Sequence, residues 1–296
     1  MAIKCPKCRV AILAVIVIVS QRAAPRNNTQ ANADQSKLEE ILSKAKEYCR
    51  RLENAALDFV CIEAASEKID YSKDIAAEDV RTVPDSMKGT PLKINPYPPK
   101  LVEKNSYVYE YQFIRKGPER VERRILVKKN GKKTQVENAP PMTSAVRVTN
   151  LLFGPVDLLG PARQSRYEFR IIGEESVDGQ KSYVLETSPR FIVDQQHCYG
   201  RIWVKEDDSS VLKIEWNQRS LGNYNVVEAT AKKYNAEPRL TSISEYGLEK
   251  KGIRFPSRDT VEEAYIMRNG KKFVRSTTTI LYKDYKFFTV ETEVKY

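Results

Sequence analysis

The stretch Cys198–Trp216, CYGRIWVKEDDSSVLKIEW, decides the fold class. On its first arm Ile202 and Val204 alternate with Arg201, Trp203 and Lys205; on its second, Leu212, Ile214 and Trp216 alternate with Val211, Lys213 and Glu215. A period of two on both arms, separated by the polar run Glu206-Asp207-Asp208-Ser209-Ser210, predicts an antiparallel hairpin with one buried face and a solvated acidic turn. The same residues exclude a helix. β-Branched and aromatic side chains suit a pleated surface, and Asp and Ser in mid-run bond locally to their own backbone.

Outward from this hairpin the period recurs. Upstream, Tyr107, Tyr109, Tyr111 and Phe113 give one strand a wholly aromatic face, Asn130-Gly131 marks a tight turn, and Tyr167, Phe169 and Ile171 lead through Asp178-Gly179 into Tyr183 and Leu185. Ala56–Ile69 reads as the first strand, with Leu57, Phe59 and Cys61 on one face. Downstream, strands are predicted over Leu240–Tyr246, Ile253–Pro256, Val261–Met267, Lys272–Tyr282 and Lys286–Tyr296. Asn269-Gly270 is read as a two-residue hairpin turn, and Phe288, Val290, Val294 and Tyr296 share one face of the last strand. The regular spacing predicts one continuous antiparallel meander.

Three segments break the strand pattern. From Ser36 to Leu52, apolar Leu38, Ile41, Leu42, Ala45, Tyr48, Cys49 and Leu52 recur at three- and four-residue spacing, with Ser36 and Glu39 as a capping box, so an amphipathic helix is predicted to cover the sheet. Residues 74–100 are proline-rich and read as a long loop, with Asn95-Pro96-Tyr97-Pro98-Pro99 as a rigid surface connection. Pro140–Pro161, with Val146, Val148, Leu151, Leu152 and Phe153, reads as one or two short helices forming a mobile lid; Asn225–Asn235 reads as a further short helix.

The 296 residues carry a net charge of +11, of which Lys4, Lys7, Arg9 and Arg22 lie in the first 24. Lys4, Lys7 and Arg9 precede the apolar run Val10–Val19, which is too short for a spanning helix of roughly 20 residues and reads as an export signal, cleaved or retained as an anchor. The expected organisation is therefore a signal over 1–24, a disordered lead-in over 25–36 and a single domain over 37–296, placed outside the cytoplasm. In an oxidising compartment Cys49 and Cys61 are expected to form a disulfide, the alternative being two buried thiols. The remaining positive charge implies a well-hydrated surface or attraction to anionic envelope surfaces. Nucleic acid is not expected, since no basic helix or stacking motif accompanies it.

Catalytic and metal-binding patterns are absent. His197 is the only histidine, and in a strand its neighbour Cys198 points to the opposite face, so the pair makes no thiol–base dyad. Cys5-Pro6-Lys7-Cys8 lacks a second ligand pair for zinc, and no Gly-rich phosphate loop or nucleophile elbow is present. No catalytic residue, metal or cofactor is expected.

The Gly-Arg-Ile-Trp-Val arm with its acidic turn and Leu-Lys-Ile-Glu return resembles a hairpin of the outer-membrane lipoprotein-sorting family, the LolA/LolB-like fold. The helix-then-meander order, the opening YCRRLENAALDFVC and the ending Phe-Phe-Thr-Val-Glu-Thr-Glu carry the same resemblance. It implies a mainly β (α+β) fold, with a strongly curved antiparallel sheet or half-barrel, an N-terminal covering helix and short lid helices. It further implies an apolar cavity shielding an acyl chain, a lipid or a lipidated partner, without catalysis. Tyr109, Phe113, Phe169, Ile171, Ile202, Val204, Leu212, Ile214 and Phe288 are the candidates to line it. The competing expectation is that the same residues form a filled core in a structural or protein-interaction domain of the cell envelope.

Overall fold

The computed structural model describes residues 28–54, 58–74, 81–84, 91–94, 101–116, 119–143, 151–191, 198–222 and 224–288. The expected export segment, Val146, Val148, His197 and the last residues of the final strand lie outside them. The elements begin with α1 (Asn28–Asn54), β1 (Asp58–Asp70), the short β2 (Arg81–Pro84) and β3 (Pro91–Ile94), β4 (Val102–Lys116), β5 (Glu119–Lys129) and β6 (Lys132–Val136). A single 3-10 turn, Leu151–Phe153, leads into α2 (Gly154–Leu159). Then follow β7 (Tyr167–Val177), β8 (Gln180–Pro189), β9 (Gly200–Lys205), β10 (Val211–Trp216), α3 (Tyr224–Tyr234), β11 (Ala236–Glu245), β12 (Leu248–Lys250), β13 (Ile253–Phe255), β14 (Arg258–Met267) and β15 (Lys272–Phe288). Helix α1 thus runs through much of the stretch expected to be a disordered lead-in, and the proline-rich region holds the β2–β3 ladder.

Eleven strands form one open antiparallel sheet in the order β6-β5-β4-β1-β15-β14-β11-β10-β9-β8-β7. Most neighbours are sequential, as a meander requires. The exception is β1, which lies between β4 and β15, so that Phe59 stands opposite Phe113 on one side and Phe287 on the other. Alternate residues of β1, from Phe59 and Cys61 to Ile69, are buried on the concave side. Helix α1 covers this side with Ile41, Ala45, Tyr48, Cys49 and Leu52, the stripe its periodicity predicts, and the Tyr48 hydroxyl accepts a hydrogen bond from the Arg254 backbone N–H at 3.2 Å. Rings complete the core: Phe59 stacks on Phe113 at 5.4 Å, and Phe255 meets Phe287 edge-on at 4.8 Å.

The turns follow their chemistry. Asn130-Gly131 and Asp178-Gly179 adopt positive φ at both residues (48° and 78°, 50° and 77°), as two-residue hairpin turns demand. Asn269-Gly270 differs from its expected two-residue form. Met267 N–H bonds Lys271 O, Gly270 alone takes positive φ (76°), and the Asn269 carboxamide accepts from Lys271 N–H, so the loop is longer and ends in a glycine bulge.

The central hairpin forms, but both its faces are buried. A bulge between Val211 and Lys213 adds a residue to β10, which keeps Val211, Ile214 and Trp216 inside and sends Leu212 to the convex side with Val184 and Trp203. There Trp203 Nε1 donates to Glu175 at 2.8 Å, and Lys213 Nζ lies 3.6 Å from the Trp203 ring centroid. The turn is not simply solvated: Asp208 caps Ser210 N–H at 2.9 Å, and buried Ser210 Oγ accepts from the guanidinium of buried Arg254 at 2.9 Å.

Cys49 and Cys61 are free thiols, which corrects the expected disulfide. Cys49 Sγ is directed at Pro155 O, 3.5 Å away on α2, while Cys61 meets the Tyr285 hydroxyl. Burial pushes both thiols up, Cys61 to about 12.

Gly200 shows how closely the chain approaches itself at the start of the hairpin. A Cβ there would stand 2.0 Å from Glu215 O, a backbone atom, whereas one at Gly173 would meet nothing within 4 Å. Gly200→Ala is therefore expected to lower the unfolding free energy by upwards of about 2 kcal/mol in urea titrations. Gly173→Ala is expected to change it by less than about 0.5 kcal/mol, and equal effects would contradict this packing.

Candidate functional site

The concave face divides the nine cavity candidates. Phe113, Ile202, Val204 and Ile214 belong to the main core, with Phe169 and Ile171 half-buried against it. Tyr109 sits in a separate small cluster with Tyr107, Leu126 and Ala139, its hydroxyl accepting from Met142 N–H at 3.0 Å. Two candidates do not face the interior. Leu212 is turned outward by its bulge, and Phe288 is 52% exposed. A second bulge explains Phe288: the β1–β15 register slips between Val60–Lys286 and Ile62–Lys283, Asp284 takes φ 57°, and Tyr285 and Phe287 become the inward side chains.

What fills the concavity is α2. Pro155, Val156, Leu158 and Leu159 are buried, as are Leu152 and Phe153 just before them, and Phe153 meets the Phe113 ring at 5.6 Å. The described part of the expected lid is therefore a plug seated in the core. Gly154 allows its entry, for a Cβ there would lie 2.8 Å from the Tyr246 hydroxyl and 3.2 Å from the Trp216 ring. Among the described residues a small cavity of about 50 Å³ lies at this face, and larger hollows of about 650 and 560 Å³ are open surface grooves.

That cavity is polar, which the apolar pattern did not foretell. Glu63, Arg124, Asp259, Thr278 and Tyr282 line it, with Pro141, Met142 and Thr143 closing one side. Glu63, 2% exposed, receives both 2.9 and 3.1 Å bonds from Arg124 Nε, and the guanidinium carbon lies 4.7 Å from the Tyr111 ring centroid. A buried carboxylate needs such a partner, because unpaired burial of charge costs several kcal/mol. Asp259 has a neutral partner instead: Trp216 Nε1 donates to Ser244 Oγ at 2.9 Å, which donates to Asp259 Oδ1 at 3.0 Å. Burial pushes the Asp259 carboxyl up to about 7, against the Ser244 bond and with Glu63 adding to the rise. The signal for these residues lay in phase: Glu63 and Glu67 share the inward positions of β1 with Phe59 and Cys61, and Asp259 shares those of β14 with Val261.

Other sequence features resolve as structure. Glu263 accepts from Arg275, Ser276 and Tyr265, and Arg275 also bonds Asp74 at 3.0 Å. Among the described residues, no three His, Cys, Asp or Glu side chains are grouped to hold a metal ion, and no helix is long and apolar enough to cross a membrane.

No protein-family model matches the chain, and no curated protein does. Among solved structures it is similar to a LolA superfamily protein from Nitrosomonas europaea, at 16% identity, covering 86% of this chain and 96% of that one with TM-score 0.33. It is also similar to an outer membrane lipoprotein-sorting protein domain from Vibrio parahaemolyticus, at 13% identity, 86% and 95% coverage and TM-score 0.40. A DUF1329 family protein from Desulfovibrio piger matches at 15% identity, 86% and 95% coverage and TM-score 0.33. The lipoprotein-sorting type that the central hairpin resembles thus recurs among these structures. At such scores the likeness carries no inference about what this chain holds.

The buried Asp259 makes stability depend on pH. Its folded pKa of about 7 lies above the ordinary 3.8, so the folded state binds the proton more tightly and stability falls as pH rises through 7. Between pH 5 and 8 the wild type is expected to lose about 2–3 kcal/mol. Asp259→Asn should remove most of that slope in denaturant titrations across the range. The same slope in the variant would show that Asp259 ionises as it does in the unfolded chain.

Proposed function

We propose that the protein is an extracytoplasmic binding protein, a carrier or sensor, that holds an acyl chain or a lipidated partner on the concave face of its sheet. In this reading α2 occupies the site when no ligand is bound. The observation that carries the proposal is the plug itself: a six-residue helix between Gly-Pro steps at both ends, with Leu158 and Leu159 fully buried in a concavity otherwise covered by α1. It pairs with no strand. Side chains that reach its backbone come from α1 and the following turn: Cys49 Sγ to Pro155 O at 3.5 Å and Gln164 Nε2 to Leu159 O at 3.4 Å.

Energetics make the exchange feasible. Burial of a leucine contributes about 1.5–3 kcal/mol and each buried methylene of an acyl chain about 0.8 kcal/mol, so about two to four methylenes offset each leucine displaced. The basic-then-apolar segment Lys4–Val19 supports placing the protein outside the cytoplasm, where acyl chains need shielding from water. A filled-core interaction domain is the second reading, favoured by the small volume of the polar cavity, since drug-sized ligands occupy roughly 300 Å³ or more.

Leu158→Ala separates the two. It is expected to lower stability by about 2–5 kcal/mol in either case. If the plug competes with ligand, the wild type binds a fluorescent fatty acyl probe at micromolar concentration and the variant binds it about tenfold more tightly, as a weakened competitor allows. Absence of probe binding by both proteins, with only the loss of stability, would leave the filled-core reading.

A further inference from the structure

The rim of the sheet where β5 turns into β6 carries an arrangement that folding alone does not favour. Lys128 stands opposite Lys133 and Lys129 opposite Lys132 across the hairpin, and at the same end of the sheet Lys68 of β1 stands opposite Lys104 of β4. Like charges directly opposite each other destabilise a ladder. All six lysines are exposed. The rim is continuous: Lys129 pairs with Tyr107, and Asn130 N–H bonds Ser106 O, two residues from Lys104.

Carboxylates offset part of this charge at the β1–β4 end, where Asp70 lies in the field of Lys68. Asp70 accepts from Ser72 N–H at 2.9 Å, Glu103 from the Tyr71 hydroxyl at 3.5 Å, and Glu67 from Thr278 at 3.4 Å. Lysine ion pairs among the described residues are made elsewhere, by Lys37, Lys44, Lys205 and Lys272. Beside the lysines, Leu101 and Val102 are 50% and 38% exposed. Three unfavourable lysine pairs held together at one rim, with aliphatic side chains next to them, fit a partner that is polyanionic, flat and apolar just beneath its charged layer. A nucleic acid would reward exposed aromatic rings, whereas Tyr107 at this rim is buried.

We propose that this rim docks on membranes rich in anionic phospholipid, with the lysines at the headgroups and Leu101 and Val102 entering the boundary below them. The proposal is independent of what occupies the sheet's interior. Each lysine close to an anionic surface strengthens binding by up to about fivefold, and the attraction weakens as salt rises.

The test is co-sedimentation of the full chain with phosphatidylcholine vesicles, with and without phosphatidylglycerol, at low and high salt. The wild type is expected to bind the phosphatidylglycerol vesicles more tightly, in a salt-sensitive way. The combined variant K128Q/K129Q/K132Q/K133Q should bind them at least about tenfold more weakly. Its unfolding midpoint should hold or rise, because like-charge pairs have been removed. The variant K232Q/K233Q, with the same type of exposed charge removed from α3, should keep wild-type binding. The proposal is overturned if phosphatidylglycerol makes no difference, if the hairpin variant binds as the wild type does, or if the α3 variant loses as much. Equally tight binding to soluble polyglutamate would also overturn it, by showing attraction to bare charge.

Discussion

A sheet of eleven strands that does not close on itself presents one long concave face, and removing that face from water is the interaction on which the rest of this structure depends. Apolar burial contributes about 25 cal/mol per Å², so an uncovered face would cost far more than the net stability of an ordinary domain. The chain meets the requirement in two layers. Helix α1 spans the opening with a stripe set by helical periodicity, and α2 fills the space that stripe cannot reach. The position of β1 makes the arrangement cooperative, because its pairing with β15 ties the start of the domain to its end.

The polar part of the interior obeys a different constraint. Charges there are tolerated only with partners, and each has a recognisable one: Arg124 for Glu63, the Ser210 hydroxyl and the Gln180 and Glu249 side chains for Arg254, and the Ser244 hydroxyl for Asp259. The Trp216–Ser244–Asp259 chain also joins the two halves of the concave face. Trp216 lies against Gly154 at the head of the plug, and Asp259 lines the polar cavity.

Much of this was legible in the residues. The alternation in Cys198–Trp216, the stripe from Leu38 to Leu52 and the Asn130-Gly131 and Asp178-Gly179 turns are local patterns, and local geometry reproduces them. What could not be read locally was phase after a bulge. Leu212 counts inward with Ile214 and Trp216 until one added residue reverses it, and Phe288 counts with Val290, Val294 and Tyr296, although the register set by the bulge before it points Tyr285 and Phe287 inward. Long-range decisions were equally hidden, since nothing near Phe59 announces that its neighbour is Phe287, and nothing in Leu158-Leu159 distinguishes a cover over a cavity from a plug within it. The inward carboxylates had a readable phase, but an in-phase acid becomes a buried pair only when a distant Arg124 or Ser244 is brought to it.

The central claim is that α2 is a separable occupant of the concave face rather than a permanent part of its core. Hydrogen–deuterium exchange on the full chain, with and without a soluble fatty acid, tests it most directly. The account predicts that amides of residues 154–160 exchange through local opening, well before those of β1 and β15, and that fatty acid changes exchange in α2 and the facing part of α1 while leaving the central strands alone. Exchange of α2 only on global unfolding, unaltered by fatty acid, would contradict it.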